Sequence, residues 1–210
     1  YKPRAKSMGS GQVLQYPYSF EKAKLIVREM TELLVLDLVE KELVTDQMVL
    51  TVGYDIENLT NKKIRQSYKG EITQDSYGRS VPKSAHGSIN LHRHTSSRKL
   101  ILEAVMELFD RIVDQNLLVR KISLTANHLV DEASAQESDN FEQLDFFSDY
   151  KAKYERQKQE KAELERERKV QKATLAIRNK FGKNAILKGM NLLAGATTIE
   201  RNRQIGGHKA

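Results

Sequence analysis

MVLTVGY, residues Met48–Tyr54, is the stretch of sequence that decides the fold. Its large apolar side chains (Met48, Leu50 and Val52) alternate with residues that point to the opposite side. A period of two is typical of a β-strand with one buried face, because successive side chains of a strand point to opposite faces. The stretch therefore predicts a sheet that is covered by other elements on one face only.

The sequence upstream of this strand predicts a helix and an earlier strand. Apolar residues recur at helical spacing from Ile26 to Leu38, and Ser19 is a suitable N-cap, so we expect a helix over Phe20–Lys41. Before it, Lys6–Leu14 has the composition of a glycine-rich strand. The pair Tyr16-Pro17 is expected to end that strand.

The sequence downstream predicts a strand, a helix and a strand. His86–His94 alternates between apolar and polar residues, a serine at 96 or 97 is a candidate helix N-cap, and Leu118–Leu129 alternates again. Residues 55–85 contain Gly70, Gly78 and Pro82 and little periodicity. We expect them to form a long loop or a loosely paired hairpin, and loops of this length usually have a functional reason.

The predicted order is β-α-β-β-α-β, which indicates an α+β fold with two layers: a four-stranded sheet and two helices on one of its faces. We assign this domain to residues 1–130. An acidic linker is predicted over 131–149, a charged and solvated helix over 150–182, and a basic tail, extended or partly ordered, over 183–210. The other sheet face stays open in this arrangement and is polar.

The net charge of +7 is distributed unevenly along the chain. Residues 60–99 hold 9 basic and 2 acidic residues, residues 131–149 hold 7 acidic and no basic residues, and residues 151–210 hold 16 basic and 6 acidic residues. Local basic patches favour a polyanionic partner, most often nucleic acid. No apolar run approaches the ~20 residues of a membrane span, and the absence of cysteine is typical of the cytoplasm, where we place the protein.

Two features have more than one interpretation. The basic loop at Lys62, Lys63 and Arg65, together with a polar sheet face, fits contacts to a nucleic-acid backbone, but it also fits a solvated basic surface. The pentapeptide QLDFF, Gln143–Phe147, places apolar residues in an acidic linker. Burial would stabilise each phenylalanine by roughly 1.5–3 kcal/mol. The pentapeptide is either a hydrophobic staple for the next helix or a linear motif whose Leu144 and two phenylalanines enter a partner's pocket.

The sequence predicts neither a metal site nor catalysis. His86, His92 and His94 lie close together in the chain, but no cysteine and no ordered carboxylate spacing accompanies them. The sequence contains no nucleophile-elbow, P-loop or zincin motif. We therefore do not expect this chain to be an enzyme by itself.

Several stretches resemble the little-finger domain of Y-family DNA polymerases, the translesion enzymes of the ImpB/MucB/SamB and DNA polymerase IV type. They are KSMGSGQVL (Lys6–Leu14), LTVGYD (Leu50–Asp55) and HGSINL (His86–Leu91). Gln143–Phe147 resembles the clamp-binding motif of bacterial polymerases, with Phe146 in place of the usual leucine. RNRQIGGH (Arg201–His208) resembles the end of Gram-positive family members.

The resemblance implies the C-terminal part of a polymerase used in DNA repair, damage bypass and the SOS response. It implies a monomeric fragment that grips template–primer DNA without sequence preference and binds the sliding clamp through Gln143, Leu144, Asp145, Phe146 and Phe147. The catalytic palm and its Mg²⁺ would belong to the parent enzyme upstream. The insertion 55–85 and the helix and tail after residue 150 depart from the family pattern. An RNA- or ribosome-associated adaptor remains the alternative.

The predicted DNA-binding residues combine the resemblance, the open-face argument and the basic loop. They are Lys6, Ser7, Gly9, Ser10, Gly11, Lys62, Lys63, Arg65, Ser88, Asn90, His92 and Arg93.

Overall fold

The structure is a computed structural model that describes residues 6–138, 150–205 and 208–209. The domain comprises β1 (Met8–Tyr18), α1 (Phe20–Glu40), β2 (Leu43–Tyr54), α2 (Glu57–Thr60), α3 (Lys62–Ser67), β3 (Ile72–Gln74), β4 (Ser80–Pro82), β5 (Ala85–Thr95), α4 (Arg98–Ile112) and β6 (Val119–Asn127). It is followed by β7 (Val130–Asp131), α5 (Glu132–Ser138), α6 (Tyr150–Phe181), a 3₁₀ helix (Gly189–Leu192), α7 (Thr198–Arg201), β8 (Gln204–Ile205) and β9 (His208–Lys209). The predicted α+β fold with β-α-β-β-α-β order is confirmed.

The main sheet is antiparallel, with the strand order β1-β6-β2-β5. A fifth, short strand was not predicted: β7 pairs with Leu43 and Val44 at the start of β2. The prediction that β1 ends at Tyr16-Pro17 was wrong, because β1 continues to Tyr18 after a register shift. Proline is tolerated there since β1 is an edge strand, which can lack a backbone donor without losing a ladder bond on its outer side.

The core lies between the sheet and the two long helices. Met48, Leu50 and Val52 of β2 are completely buried, as their alternation predicts. The rings of Phe20 on α1 and Phe109 on α4 pack with their centroids 4.9 Å apart. Each such side chain stabilises the fold by about 1.5–3 kcal/mol through burial.

Gly87 of β5 lies on the helix-covered face of the sheet. A Cβ atom at this position would be 3.0 Å from Cδ1 of Leu108 and 3.1 Å from Cγ2 of Ile112, both on α4. The glycine therefore allows α4 to pack closely against β5. Gly87 thus contributes to helix packing and does not lie on the open face of the sheet.

Residues 55–85 contain a hairpin, one of the two predicted alternatives, together with two short helices that were not predicted. They form the short helices α2 and α3 and the hairpin of β3 with β4. The side chain of Asn58 fastens α2 to the domain, because it donates to the carbonyl of Leu118 (2.8 Å) and accepts from the Leu118 N–H (2.8 Å). A buried side-chain amide that pairs with a backbone amide in this way holds the insertion in a defined position.

Helix α6 and the segment after it pack on the domain. The helix is solvated on one side only, and of the two alternatives predicted for the tail, extended or partly ordered, the second fits the structure. On α6, Glu167 accepts from the Ser97 hydroxyl (2.8 Å), and Gln171 donates to the carbonyl of Ser96 (3.2 Å). Further along, Asn191 donates to the buried carboxylate of Glu29 on α1 (2.7 Å). The pattern of apolar residues in the sequence does not predict these contacts, because the contacts are hydrogen bonds between polar groups.

Candidate nucleic-acid interface

The open face of the sheet is a polar surface that spans all four long strands. At one end, a row of amides crosses it: Asn127 donates to Gln47 (3.0 Å), and Gln47 donates to Asn90 (3.0 Å). These residues are direct register partners on β6, β2 and β5. The row therefore presents three neighbouring amide groups in fixed orientations.

Hydroxyl groups and glycines form the next two rows of the open face. Gly9 pairs with Thr125, and Gly11 pairs with Ser123, so both hydroxyl side chains on β6 stand beside a glycine of β1. Addition of a Cβ atom at Gly9 would bring it within 3.1 Å of the Thr125 hydroxyl oxygen. The two glycines leave a shallow strip in which the β1 backbone and the β6 hydroxyls are accessible together.

The far side of this strip carries a hydroxyl–imidazole pair. Oγ1 of Thr51 lies 2.8 Å from Nδ1 of His86, and the two residues are register partners on β2 and β5. Ser88, on the same face, pairs in register with Val49. Hydroxyls, amides and backbone N–H groups are neutral groups with which proteins contact phosphate and sugar oxygens.

Part of the predicted DNA-binding set shares this surface. Gly9, Gly11, Ser88 and Asn90 lie on the open face, in register with the rows of hydroxyls and amides. Lys6 and Ser7 are exposed where the chain enters β1. His92 is exposed in the irregularly paired part of β5, where its φ of 60° is left-handed rather than extended.

Ser10 does not lie on the open face. It pairs in register with the buried Leu124, and its hydroxyl accepts from Arg201 (2.7 Å) on the helix-covered side of the sheet. Arg201 also donates to the side chain of Gln12 (2.9 Å) and to the carbonyl of Gly11 (3.2 Å). No signal in the sequence points to Arg201, since it approaches β1 from about 190 positions away.

Two further parts of the predicted set lie elsewhere. Arg93 lies in the irregularly paired part of β5 and forms an ion pair with Glu160 of α6. Lys62, Lys63 and Arg65 are exposed on α3, whose other side packs against the core on the helix-covered side. The structure thus assembles a polar open face, but it does not bring the predicted cations onto it.

A cleft of about 850 Å³ borders the open face at the end opposite the amide row. The sheet contributes Val13, Gly53 and Lys121, which follow the Gly11 row in register. The β3–β4 hairpin forms the opposite wall with Tyr77 and Arg79. The cleft therefore extends the open face into the insertion.

The histidines do not form a metal centre in the part of the chain that the structure describes. His86 is paired with Thr51, whereas Nε2 of His94 and Nδ1 of His128 lie 3.9 and 2.8 Å from the carboxylate of Asp46. Residues 6–138, 150–205 and 208–209 contain no group of three or more metal-binding side chains. Within these ranges, no helix is both long and apolar enough to cross a membrane.

The pentapeptide Gln143–Phe147 lies outside the described residues. Its assignment as a clamp-binding motif therefore stays a prediction. Of the predicted acidic linker, Asp131 ends β7 and Glu132–Ser138 form α5, whereas the rest of the linker lies outside the described residues.

The fold and the surface together define a two-layer α+β domain with a polar, uncovered sheet face. The C-terminal domain of the impB/mucB/samB family matches residues 5–140. The chain therefore belongs to this family, and its α+β domain is the little finger of a Y-family polymerase.

One solved structure, a complex of the β-clamp processivity factor and the little finger domain of PolIV, includes a similar chain. The match covers 58% of this chain and 86% of that chain, with 8% sequence identity and a TM-score of 0.37. The comparison with curated proteins gives no match.

Proposed function

We propose that this chain is the DNA-gripping C-terminal part of an error-prone polymerase that copies past DNA damage. The proposal rests on the open sheet face of this little-finger domain, where amide and hydroxyl side chains lie beside two glycines. Neutral donors at fixed spacing, accessible backbone and nearby lysines suit the phosphates and sugars of a duplex. Such contacts position DNA without reading its bases, as a polymerase that moves along any template requires.

The salt dependence of DNA binding tests this proposal. Each phosphate that a cation neutralises contributes about −0.9 to the slope of log K against log salt for duplex DNA. Lys121 is the exposed lysine of β6 on the open face, so Lys121→Gln should lower the magnitude of the slope for primed duplex by about one. Lys158→Gln, an exposed lysine on α6, is the control and should leave the slope unchanged.

Two results would contradict this function. The first is no binding to primed duplex at low salt. The second is a clear preference for structured RNA over primed DNA, which would favour the RNA- or ribosome-associated adaptor instead.

The second part of the proposal is that Gln143–Phe147 binds the sliding clamp. Leu144, Phe146 and Phe147 would enter an apolar pocket, and Gln143 would donate at its rim. A tether to a ring on the same DNA raises the effective concentration of the domain at the primer end.

Phe146→Ala combined with Phe147→Ala tests the motif by clamp binding. Aromatic hot-spot residues cost about 2 kcal/mol or more when truncated, so affinity should fall at least roughly 30-fold. Phe141→Ala removes an aromatic ring from the same segment but outside the motif, and it should have no effect. Equal affinity of the double variant and the wild type would remove clamp binding from the proposal and leave the DNA part intact.

The chemistry of nucleotide transfer, with its Mg²⁺ ions, is proposed for a catalytic palm in the parent enzyme. This chain supplies affinity for DNA. When joined to such a palm it should raise the number of nucleotides added per binding event, whereas alone it should add none.

A further inference from the structure

The tip of the β3–β4 hairpin is a rigid turn built around one carboxylate. Oδ1 of Asp75 accepts from the backbone N–H groups of Tyr77 (2.9 Å) and Arg79 (3.0 Å), and Oδ2 accepts from Nε of Arg79 (2.8 Å). Gly78 completes the turn with a φ of 74°, a conformation that glycine adopts without strain. The hydrogen bonds from Arg79 and Tyr77 lower the pKa of Asp75, so this carboxylate stays ionised and the turn stays closed at neutral pH.

This turn displays an aromatic ring. Tyr77 is 81% exposed, more than any other large apolar side chain in the described part of the chain. Cζ of Arg79 lies 5.0 Å from the centroid of the ring, and its guanidinium is held by Asp75. The arginine lies over one face of this exposed ring, and a flat ligand can stack on the other face.

Tyr77 and Arg79 stand at the wall of the 850 Å³ cleft that borders the open face. The floor is the sheet row of Val13 and Lys121, next to the Gly11–Ser123 row. Val13 is 65% exposed, so the cleft combines two uncovered apolar side chains. A volume in the range of about 300–1,000 Å³ suits small ligands, and it admits single nucleotides rather than a duplex.

The charges of the cleft favour an anion. Its two carboxylates are matched by arginines, Asp75 by Arg79 (2.6 Å) and Asp55 by Arg120 (3.7 Å). Lys121 forms no ion pair among the described residues of the lining, so the cleft keeps an uncompensated positive charge. A ligand that is flat, apolar on its faces and anionic along its edge satisfies all of these features.

We infer that the cleft binds unpaired nucleotides of a strand whose duplex part lies on the open face, with a base stacked on Tyr77 and a phosphate near Lys121. The inference rests on the proposed function, because it takes the open face as the duplex site. It gives the insertion 55–85 a role: to hold the single-stranded continuation of the DNA.

Binding to three DNA probes tests the inference: a blunt duplex, the same duplex with a single-stranded 5′ overhang, and the overhang strand alone. Tyr77→Ala should weaken binding to the overhang duplex by roughly 5- to 100-fold, the effect of losing one stacked base. It should leave binding to the blunt duplex unchanged. Tyr77→Phe keeps the ring and should bind like the wild type.

Phe181→Ala is the matched control. Phe181 is 67% exposed, and a cation, Nζ of Lys180, lies 5.1 Å from its ring centroid, but it stands at the end of α6 outside the cleft. This variant should bind all three probes like the wild type. A fluorescent adenine analogue in the overhang gives a second measurement, because its emission should change when wild type or Tyr77→Phe binds and not when Tyr77→Ala binds.

The outcomes separate this inference from the proposed function. If the wild type binds blunt duplex but Tyr77→Ala weakens both duplexes equally, or weakens neither, the cleft does not hold unpaired nucleotides and the duplex function stands. A cleft that serves a protein partner instead gives the second of these results. If the wild type binds neither duplex, the proposed function itself is wrong.

Discussion

Asn191→Asp is expected to detach the C-terminal segment from α1. Nδ2 of Asn191 donates to Oε1 of Glu29 (2.7 Å), and Oδ1 of the same amide accepts from the N–H of Lys188 (2.9 Å). The substitution keeps the second contact and replaces the donor of the first by an oxygen of a second carboxyl group. Glu29 is only 2% exposed, so water does not screen the two groups.

The expected loss of docking free energy has two parts. Loss of a hydrogen bond to a charged group costs about 1.5–3 kcal/mol. Repulsion raises the pKa of the new carboxyl, and each unit of increase costs about 1.4 kcal/mol at neutral pH. With an increase of about one unit, the docking of the segment should weaken by about 3–4 kcal/mol. If docking is worth less than that, the segment detaches while the rest of the domain stays folded.

In the Asn191→Asp variant, docking of the C-terminal segment should be stronger at low pH than at neutral pH. Because the pKa of the new carboxyl is higher in the docked state, its contribution to docking is present at low pH and is lost as the pH rises through the raised value. Near pH 4 the protonated group can donate to Glu29, and docking should largely recover. Glu29→Gln in the same chain should restore docking at neutral pH, since its amide can donate to the new carboxylate and its oxygen can still accept from the N–H of Thr197.

Hydrogen exchange of residues 188–202 measures docking directly, and urea unfolding followed by circular dichroism measures the whole domain. The reasoning is refuted if Asn191→Asp exchanges like the wild type at neutral pH. It is also refuted if its faster exchange persists at low pH or in the double variant.

Three further predictions concern single positions. Gly87→Ala should lower the free energy of unfolding by about 1–3 kcal/mol in urea titrations, because the new Cβ meets Leu108 and Ile112; unchanged stability would contradict it. Gly11→Ala meets only a carbonyl oxygen at 3.9 Å, so it should keep the stability while weakening duplex binding in the same salt titrations, and unchanged binding would count against close DNA approach. Burial raises the pKa of Asp37 above its ordinary 3.8, so its contribution to stability is present at low pH and is lost as the pH rises through the raised pKa. Asp37→Asn should therefore be more stable than the wild type near pH 7 and equally stable near pH 3. A gain in stability that does not depend on pH would contradict this prediction.

The sequence predicted the main elements because burial imposes a local period on them. Ile122, Leu124 and Ala126 on β6 are all buried, as their alternation predicts. Ser97 is the N-cap of α4, where its hydroxyl accepts from the N–H of Leu100 (3.4 Å). Signals of this kind lie within a few residues of one another, so a single sequence contains them.

The candidate surface was predicted only in part, for two reasons. The same period of two that selects Gly9 and Gly11 places Ser10 on the opposite face, beside the buried Leu124, so grouping all three as contact residues was inconsistent with strand geometry. The same period groups Arg93 with Ile89 and Leu91 rather than with Ser88 and Asn90. The irregular pairing of residues 91–94 of β5 has no signature in the sequence, and within it Arg93 forms an ion pair with Glu160 of α6. Four residues of β5 lie between Asn90 and Thr95, whereas one residue of β2 lies between their partners Gln47 and Thr45, so strict alternation does not extend to Thr95.

The docked C-terminal segment could not be predicted because its contacts are polar and distant in sequence. Lys188 forms an ion pair with Glu32 of α1, although burial lowers the pKa of Lys188. Such an ion pair depends on a partner residue far away in the sequence. An amphipathic helix, by contrast, can be recognised from the apolar pattern of its own residues. The basic composition of residues 183–210 therefore indicated only a basic tail, extended or partly ordered, whereas Lys188 in fact neutralises the carboxylate of Glu32 on α1.

Strand β1 connects the C-terminal segment with the open face. Arg201 donates hydrogen bonds to β1 on the helix-covered side, and Gly9 and Gly11 leave its backbone accessible on the open face. Arg201→Ala should therefore speed amide exchange in β1 and weaken duplex binding a few-fold without changing the salt slope, because the guanidinium supports the strand and does not contact phosphate. Arg203→Ala, an exposed arginine of the same segment, is the control for charge alone. A lower salt slope for Arg201→Ala would mean that Arg201 neutralises a phosphate, and unchanged exchange in β1 would mean that the segment does not support the strand.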